Sequence, residues 1–163
     1  MALEIERKFL IYKDDVLYEK ASEKWDIVQT YLSEKTAGIQ RRVRSITIND
    51  ETHCTYTEKN FIKPMVREEH EREISRDEYE RLLTEADGKK TSVVKTRLII
   101  EYEKQHFEAD IYPFSDEYCT IELEIAEEDT EIDMPPFVRV IKEVTGDSRY
   151  SNAELARTKR LLP

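Results

Sequence analysis

Residues 3–10 read Leu3-Glu4-Ile5-Glu6-Arg7-Lys8-Phe9-Leu10, and the fold turns on whether they form a helix or a strand. On a helix, Glu4, Glu6 and Lys8 would fan around the axis by about 100° per residue; on a strand they share one side, about 6.6–6.8 Å apart. Because they alternate with Leu3, Ile5 and Phe9, the strand reading gives one charged face and one largely apolar face. The same period of two recurs at 26–33, 38–48, 52–59, 66–74, 92–102, 105–112 and 119–126, which predicts about eight strands, mostly antiparallel.

The charged positions are sorted by sign. Arg42 and Arg44 share a face, as do Thr57 and Lys59, then Arg67 with Glu69, Glu71 and Glu73. Lys95 and Arg97 follow, then Glu108 and Asp110, then Glu122 and Glu124. The opposite faces carry Val94, Leu98 and Ile100, then Phe107, Ala109 and Ile111, then Ile121, Leu123 and Ile125, and these need helices to cover them. Helices are predicted near 15–23, from the Ser75/Glu78 capping box to about 86, from Pro135 and Pro136 to Gly146, and over 151–162. Arg7, Arg41 and Arg72 fall on the alternate face and are expected outside.

Composition narrows the chemistry. The chain has 163 residues, 38% of them charged, with net charge −10, which disfavours non-specific nucleic-acid binding. Its three glycines stand apart, so neither a Walker A loop nor a dinucleotide fingerprint can form, and any phosphate must be held by side chains. Cys54 and Cys119 show no metal spacing and no signal-peptide pattern opens the chain, so a reducing cytoplasm is expected. No apolar run approaches the roughly 20 residues of a membrane-spanning helix. One domain over 1–163 is expected, without repeats or linkers.

If the strands close into a barrel with helices outside, the ionisable faces point inward. Burying them dry would cost several kcal/mol per ion, so the lumen must be wet or its charges paired. Two readings stand at this point: a solvated or ion-paired structural face, or a lumen whose cations bind a polyanion while its carboxylates hold a bridging divalent cation. Mg²⁺ or Mn²⁺ suits such a carboxylate-rich set better than Zn²⁺, because His53, His70 and His106 have no chelating spacing. Those histidines read as surface or wall residues, Trp25 as packing, and the Glu127–Glu131 run as a solvated loop.

Glu4-Ile5-Glu6-Arg7-Lys8 resembles the Glu-x-Glu-x-Lys signature of the CYTH superfamily, the triphosphate tunnel metalloenzymes. Later elements match in order: Arg42-Val43-Arg44, Thr57-Glu58-Lys59, Arg67 to Glu71, Lys95-Thr96-Arg97, Phe107 to Asp110, Glu122-Leu123-Glu124, and Asp147 to Asn152. The resemblance implies an eight-stranded antiparallel tunnel and divalent-metal-dependent hydrolysis of a triphosphate. It implies phosphate binding by Lys8, Arg42, Arg44, Lys59, Arg67, Lys95 and Arg97. It implies metal binding by Glu4, Glu6, Asp110, Glu122 and Glu124, supported by Glu69 and Glu71, and catalysis by Glu4, Glu6, Lys8 and Lys95. The final helix would help close the tunnel; Ser151 stands where many members carry lysine. Similarity to short bacterial members favours inorganic triphosphate, cleaved to pyrophosphate and phosphate. The alternatives are thiamine triphosphate, cyclisation of ATP as in class IV adenylate cyclases, and a non-catalytic polyphosphate- or nucleotide-binding module. The expected partner is a small triphosphate, with neither nucleic acid nor membrane.

Overall fold

The computed structural model describes residues 2–163. Its strands are β1 (Ala2–Tyr12), β2 (Glu23–Leu32), β3 (Ile39–Ile48), β4 (Glu51–Lys63), β5 (Val66–Ile74), β6 (Val93–Tyr102), β7 (Gln105–Ile111), β8 (Tyr118–Glu124) and β9 (Val140–Glu143). Helices α1 (Val16–Lys20), α2 (Arg76–Leu83) and α3 (Asn152–Thr158) accompany them, with a 3₁₀ turn at Ser148–Tyr150. The sheet runs β5-β4-β3-β2-β6-β7-β8-β1-β9 and closes through a further β5–β1 pairing. The result is an eight-stranded antiparallel barrel with one extra strand.

The inverted polarity expected from the sequence holds. On the outer face, Phe9, Ile11, Leu98, Ile100, Phe107, Ile121 and Leu123 form one buried cluster with Leu17 of α1 and Val138. On the other side, Leu32, Val43, Cys54 and Ile74 pack against Tyr79 and Leu82 of α2. Each such side chain contributes about 1.5–3 kcal/mol when fully buried, so these covers keep the charged face inward. Ser75 caps α2 as its motif predicts, accepting a hydrogen bond from the Glu78 amide at 3.1 Å. The third helix behaves differently: Leu155 and Ala156 join Val144, Tyr150 and Leu161 against Leu10, Tyr31, Val93 and Tyr112. Leu10, Tyr31 and Val93 continue the inward rows of their strands, so α3 fills part of the barrel interior and does not pack outside.

The expected helix from Pro135 to Gly146 is replaced by a single turn, in which the Val138 amide donates to the Pro135 carbonyl at 3.0 Å, followed by strand β9. The cause lies in β1, because β5 pairs it only from Ala2 to Ile5. The exposed edge beyond would leave backbone donors and acceptors unmet. Strand β9 satisfies it, pairing Phe9 with Glu143 and Leu10 with Lys142, and the β-branched Val140 and Ile141 suit that state. The first and last helices are also shorter than the predicted 15–23 and 151–162, ending at Lys20 and Thr158.

Gly146 is therefore no helix terminus. It has φ +73° and lies against the β4–β5 connection, where an added Cβ would fall 2.4 Å from Pro64 Cβ. Gly146→Ala should cost about 1–2 kcal/mol from its backbone conformation alone, with the contact adding to the loss. Gly88→Ala, which meets nothing within 4 Å, should leave stability nearly unchanged. Denaturant melts of both variants check this, and equal stabilities would dismiss the Gly146–Pro64 contact as a constraint.

Candidate active site

The inward faces enclose a cavity of about 650 Å³. One wall is cationic. Arg42 and Arg44 of β3 and Lys59 of β4 alternate with Thr57 and Thr55 across the shared register. Their counter-ions come from β5: Glu69 lies 3.6 Å from Arg42 and 3.7 Å from Lys59, and Glu71 accepts from Arg44 at 2.9 Å and from the Thr57 hydroxyl at 2.8 Å. Pairing is incomplete, since the Nε atoms of Arg42 and Arg44 are buried without an acceptor among the described residues. Burial, with Arg42 and Arg67 nearby, pushes Lys59 well below its ordinary range. Burial and the Arg42 and Arg97 charges take Arg44 down to about 10. For Glu69, burial is outweighed by Lys59 and Arg42, which hold it at about 2.

Lys95 and Arg97 of β6 form a second cationic group, and Asp110 of β7 holds both. It accepts from Lys95 Nζ at 2.8 Å and from Arg97 Nε and Nη2 at 2.8 and 3.0 Å. Burial lowers Lys95 to about 8 despite the attraction of Asp110. Asp110 itself is held below the carboxylate range: Arg97 and Lys95 outweigh the effect of burial. With 2% of its surface exposed, Asp110 stands behind these cations and not on the cavity wall. Asp110, expected among the metal-binding carboxylates, here has its hydrogen bonds directed to these two bases. Glu108, two residues earlier on the same face, does line the cavity and accepts from Arg97 at 2.9 Å.

The opposite wall is built by β1 and β8, whose register sets Glu6 beside Glu124 and Lys8 beside Glu122. Arg67, expected among the phosphate-binding bases, is committed here, donating twice to Glu6 at 2.9 and 2.6 Å and to Glu4 at 3.3 Å. Its charge keeps Glu6 below its ordinary value in spite of burial. Glu4 is pushed up to about 8 by burial and by Glu69, with which it shares a hydrogen bond. Burial, then Glu6, raises Glu122; burial, then Glu108, raises Glu124. Lys8 reaches the closing segment, donating from Nζ to the Tyr150 carbonyl at 2.6 Å.

Of the residues singled out in the sequence, Glu4, Glu6, Lys8, Arg42, Arg44, Lys59, Arg67, Glu69, Glu71, Lys95, Arg97, Glu122 and Glu124 all meet on this one cavity. Trp25 joins them on its wall. Tyr31 does as well, its hydroxyl accepting from Gln29 Nε2 at 2.6 Å. The aromatic β2 positions sit on the inward period of that strand, but nothing in their type announced a cavity. Arg41 points away from the lumen as expected, yet it is not exterior: it is 4% exposed and donates to the Tyr56 hydroxyl, the Ser33 carbonyl and Glu85. Tyr56 and Glu85 draw it under the β3–β4 surface.

The donor set suits a hard divalent cation. Glu4, Glu6, Glu108, Glu122 and Glu124 offer only oxygen, and those raised by burial and crowding are carboxylates that a cation would stabilise. Among the described residues, no three His, Cys, Asp or Glu side chains form a ready chelate. Arg67 and neighbouring acids share the charge balancing.

The closed antiparallel barrel with sorted charge inside agrees with a match to the CYTH domain over residues 2–134. The chain belongs to the CYTH family. It is similar to the inorganic triphosphatase NE1496 at 28% identity, covering 97% of each chain with a TM-score of 0.59. It also resembles PH1819 from Pyrococcus horikoshii (24%, 77% of this chain and 80% of that one, TM-score 0.59). At the level of the fold it resembles HpAC1 from Hippeastrum (17%, 76% and 80%, TM-score 0.52), described as a putative adenylyl cyclase with dominant triphosphatase activity. A search of curated proteins returns no match. Among the described residues, no helix is long and apolar enough to cross a membrane.

Two measurements separate the roles. Arg41→Ala should lose about 1–3 kcal/mol of folding stability, by stranding the groups it binds, with no change in tripolyphosphate affinity. Arg44→Ala should do the reverse, weakening affinity at least tenfold; matching affinity losses would void the facing assignment. The second concerns pH. Glu4 is protonated more readily folded, near 8, than at its ordinary 4.5, so its stabilising protonation is complete below about 4.5 and lost as pH rises through about 8. In chelator, Glu4→Gln should therefore gain in melting temperature over the parent as pH increases from 5 to 9. Parallel melting curves would refute the raised Glu4.

Proposed function

We propose that this protein is a divalent-metal-dependent triphosphatase that hydrolyses inorganic tripolyphosphate to pyrophosphate and phosphate. The observation that carries this reading is the division of one cavity into two walls, one with buried guanidinium donors still without acceptors and one with crowded carboxylates. A pure anion receptor gains nothing from the acidic wall. A phosphoryl-transfer site needs both, because its work is positioning and neutralising charge on the transferred group.

In this reading Arg42, Arg44 and Lys59 bind phosphate oxygens on one side, and Lys95 and Arg97, held rigid by Asp110, bind them on the other. Lys8 exchanges the Tyr150 carbonyl for a phosphate oxygen. Lys95, lowered to about 8, is a cation able to give a proton to the leaving pyrophosphate oxygen near neutral pH. Glu4, Glu6, Glu122 and Glu124, with Glu108 beside them, hold Mg²⁺ or Mn²⁺, which when bound neutralises phosphate charge and lowers the pKa of water. The 28% identity to NE1496 over nearly the whole chain supports this choice of substrate. A reducing cytoplasm, in keeping with two free cysteines, is the proposed setting.

Purified protein should release phosphate and pyrophosphate from tripolyphosphate with added Mg²⁺ or Mn²⁺ and none in excess chelator. The kcat/KM for tripolyphosphate should exceed that for ATP or thiamine triphosphate, and pyrophosphate should be a poor substrate. Glu122→Gln should lower kcat at least tenfold while leaving the melting temperature within a few degrees. Turnover undiminished by chelator would remove the metal role, and cyclic AMP as the main product from ATP would make the protein a cyclase.

A further inference from the structure

Glu4, Glu6 and Lys8 of β1 line the cavity, while alternation turns Arg7 outward, its guanidinium carbon 5.4 Å from the centre of the Phe9 ring. On that outer side Arg7 grips Glu143 with two hydrogen bonds, from Nε at 2.9 Å and from Nη2 at 2.7 Å. These bonds hold the Glu143 carboxyl below its ordinary value, so it remains an acceptor. Glu143 is the last residue of β9, and the next two, Val144 and Thr145, border the cavity. The Oε2 atom that accepts from Arg7 Nε also accepts from the Thr145 hydroxyl at 2.7 Å. The Thr145 oxygen in turn accepts from the Lys8 amide at 3.0 Å. An unbroken path of hydrogen bonds thus runs from the outer surface to the backbone of a cavity cation.

The path lies where β1 has no strand beside it. Strand β5 pairs β1 as far as Ile5, the Glu6 amide donates to the Met65 carbonyl at 3.0 Å, and β9 takes over at Phe9. Between them the backbone of Lys8 faces the uncovered edge. Its carbonyl accepts from the Val144 amide at 2.8 Å, and for its amide the Thr145 hydroxyl takes the place of a strand carbonyl. A hydroxyl can rotate, and the Lys8 carbonyl, 3.4 Å from Thr145 Oγ1, competes for its proton. The charged Glu143 acceptor wins at 2.7 Å, which leaves the oxygen turned toward the Lys8 amide. We propose that Arg7 is a positioning residue that, through Glu143 and Thr145, sets from outside the barrel where the Lys8 ammonium stands in the cavity. An exposed ion pair adds little to stability, so the effect of this one is on placement. The proposal rests on the triphosphatase reading for what Lys8 binds, and on the hydrogen-bond path alone for how Lys8 is held.

The test follows hydrogen exchange of the Lys8 amide by NMR without substrate, and tripolyphosphate kinetics with Mg²⁺. It compares the parent with Arg7→Ala, Thr145→Val, Thr145→Ser and the double variant Arg7→Ala/Thr145→Val. Arg7→Ala removes no backbone partner, so its melting temperature should stay within a few degrees of the parent. Its Lys8 amide should exchange about tenfold faster relative to other amides of β1, and KM should rise about fivefold with kcat changed less than about twofold. Thr145→Ser, which keeps the hydroxyl, should match the parent. The double variant should be no worse than Thr145→Val alone, because both substitutions cut one path. Unchanged Lys8 exchange in Arg7→Ala, a lowered melting temperature with unchanged KM, or additive losses in the double variant overturns the proposal. A parent that does not turn over tripolyphosphate refutes the triphosphatase reading instead, and the exchange comparison then decides the path by itself.

Discussion

A barrel that turns its ionisable face inward must balance each buried charge before a ligand arrives. Asp110 shows the solution most fully, with one carboxylate satisfying Lys95 and Arg97 at 2.8–3.0 Å out of contact with the cavity. Glu69 performs a looser version for Arg42, Lys59 and Arg67, at 3.5–3.7 Å. The tight arrangement fixes side chains. The loose one keeps charge balanced while leaving guanidinium donors available. Rigidity and readiness thus come from the same chemistry at different distances.

The acidic wall follows a complementary rule. Arg67 binds Glu4 and Glu6, yet Glu4 still rises to about 8, and burial with neighbouring acids raises Glu122 and Glu124 as well. A protein built only for stability would not crowd acids in this way, since each like-charge neighbour makes ionisation more costly. A divalent cation is the natural replacement for those protons, and Arg67 is the group it would compete with.

Much of this was legible because strands alternate strictly. The eight barrel strands and the inward placement of Glu4 through Glu124 follow from period two and the distribution of charge. Depth does not. Asp110 and Glu108 share a face, and only the closed barrel shows one behind the cations and the other on the cavity. Local signals also lost to tertiary demand: Pro135 and Pro136 start one turn, and then the unmet edge of β1 draws Val140–Glu143 into a strand. Arg41 was placed on the correct face, but burial on that face depends on Glu85 and Tyr56, which sequence distance hides.

The seam at β1 also bears on synthesis. This strand pairs with β5, β8 and β9, so the first segment made is satisfied by segments made much later; the Lys8 amide donates to Thr145 Oγ1 across 137 positions. During translation, β2 to β5 can assemble as successive hairpins while β1 keeps an open edge. The cavity, whose acidic wall is half β1, forms only when the chain is nearly complete. Such long-range closure slows folding and exposes an edge meanwhile, and the charges of Glu4, Glu6, Arg7 and Lys8 are well placed to discourage that edge from pairing with another nascent chain.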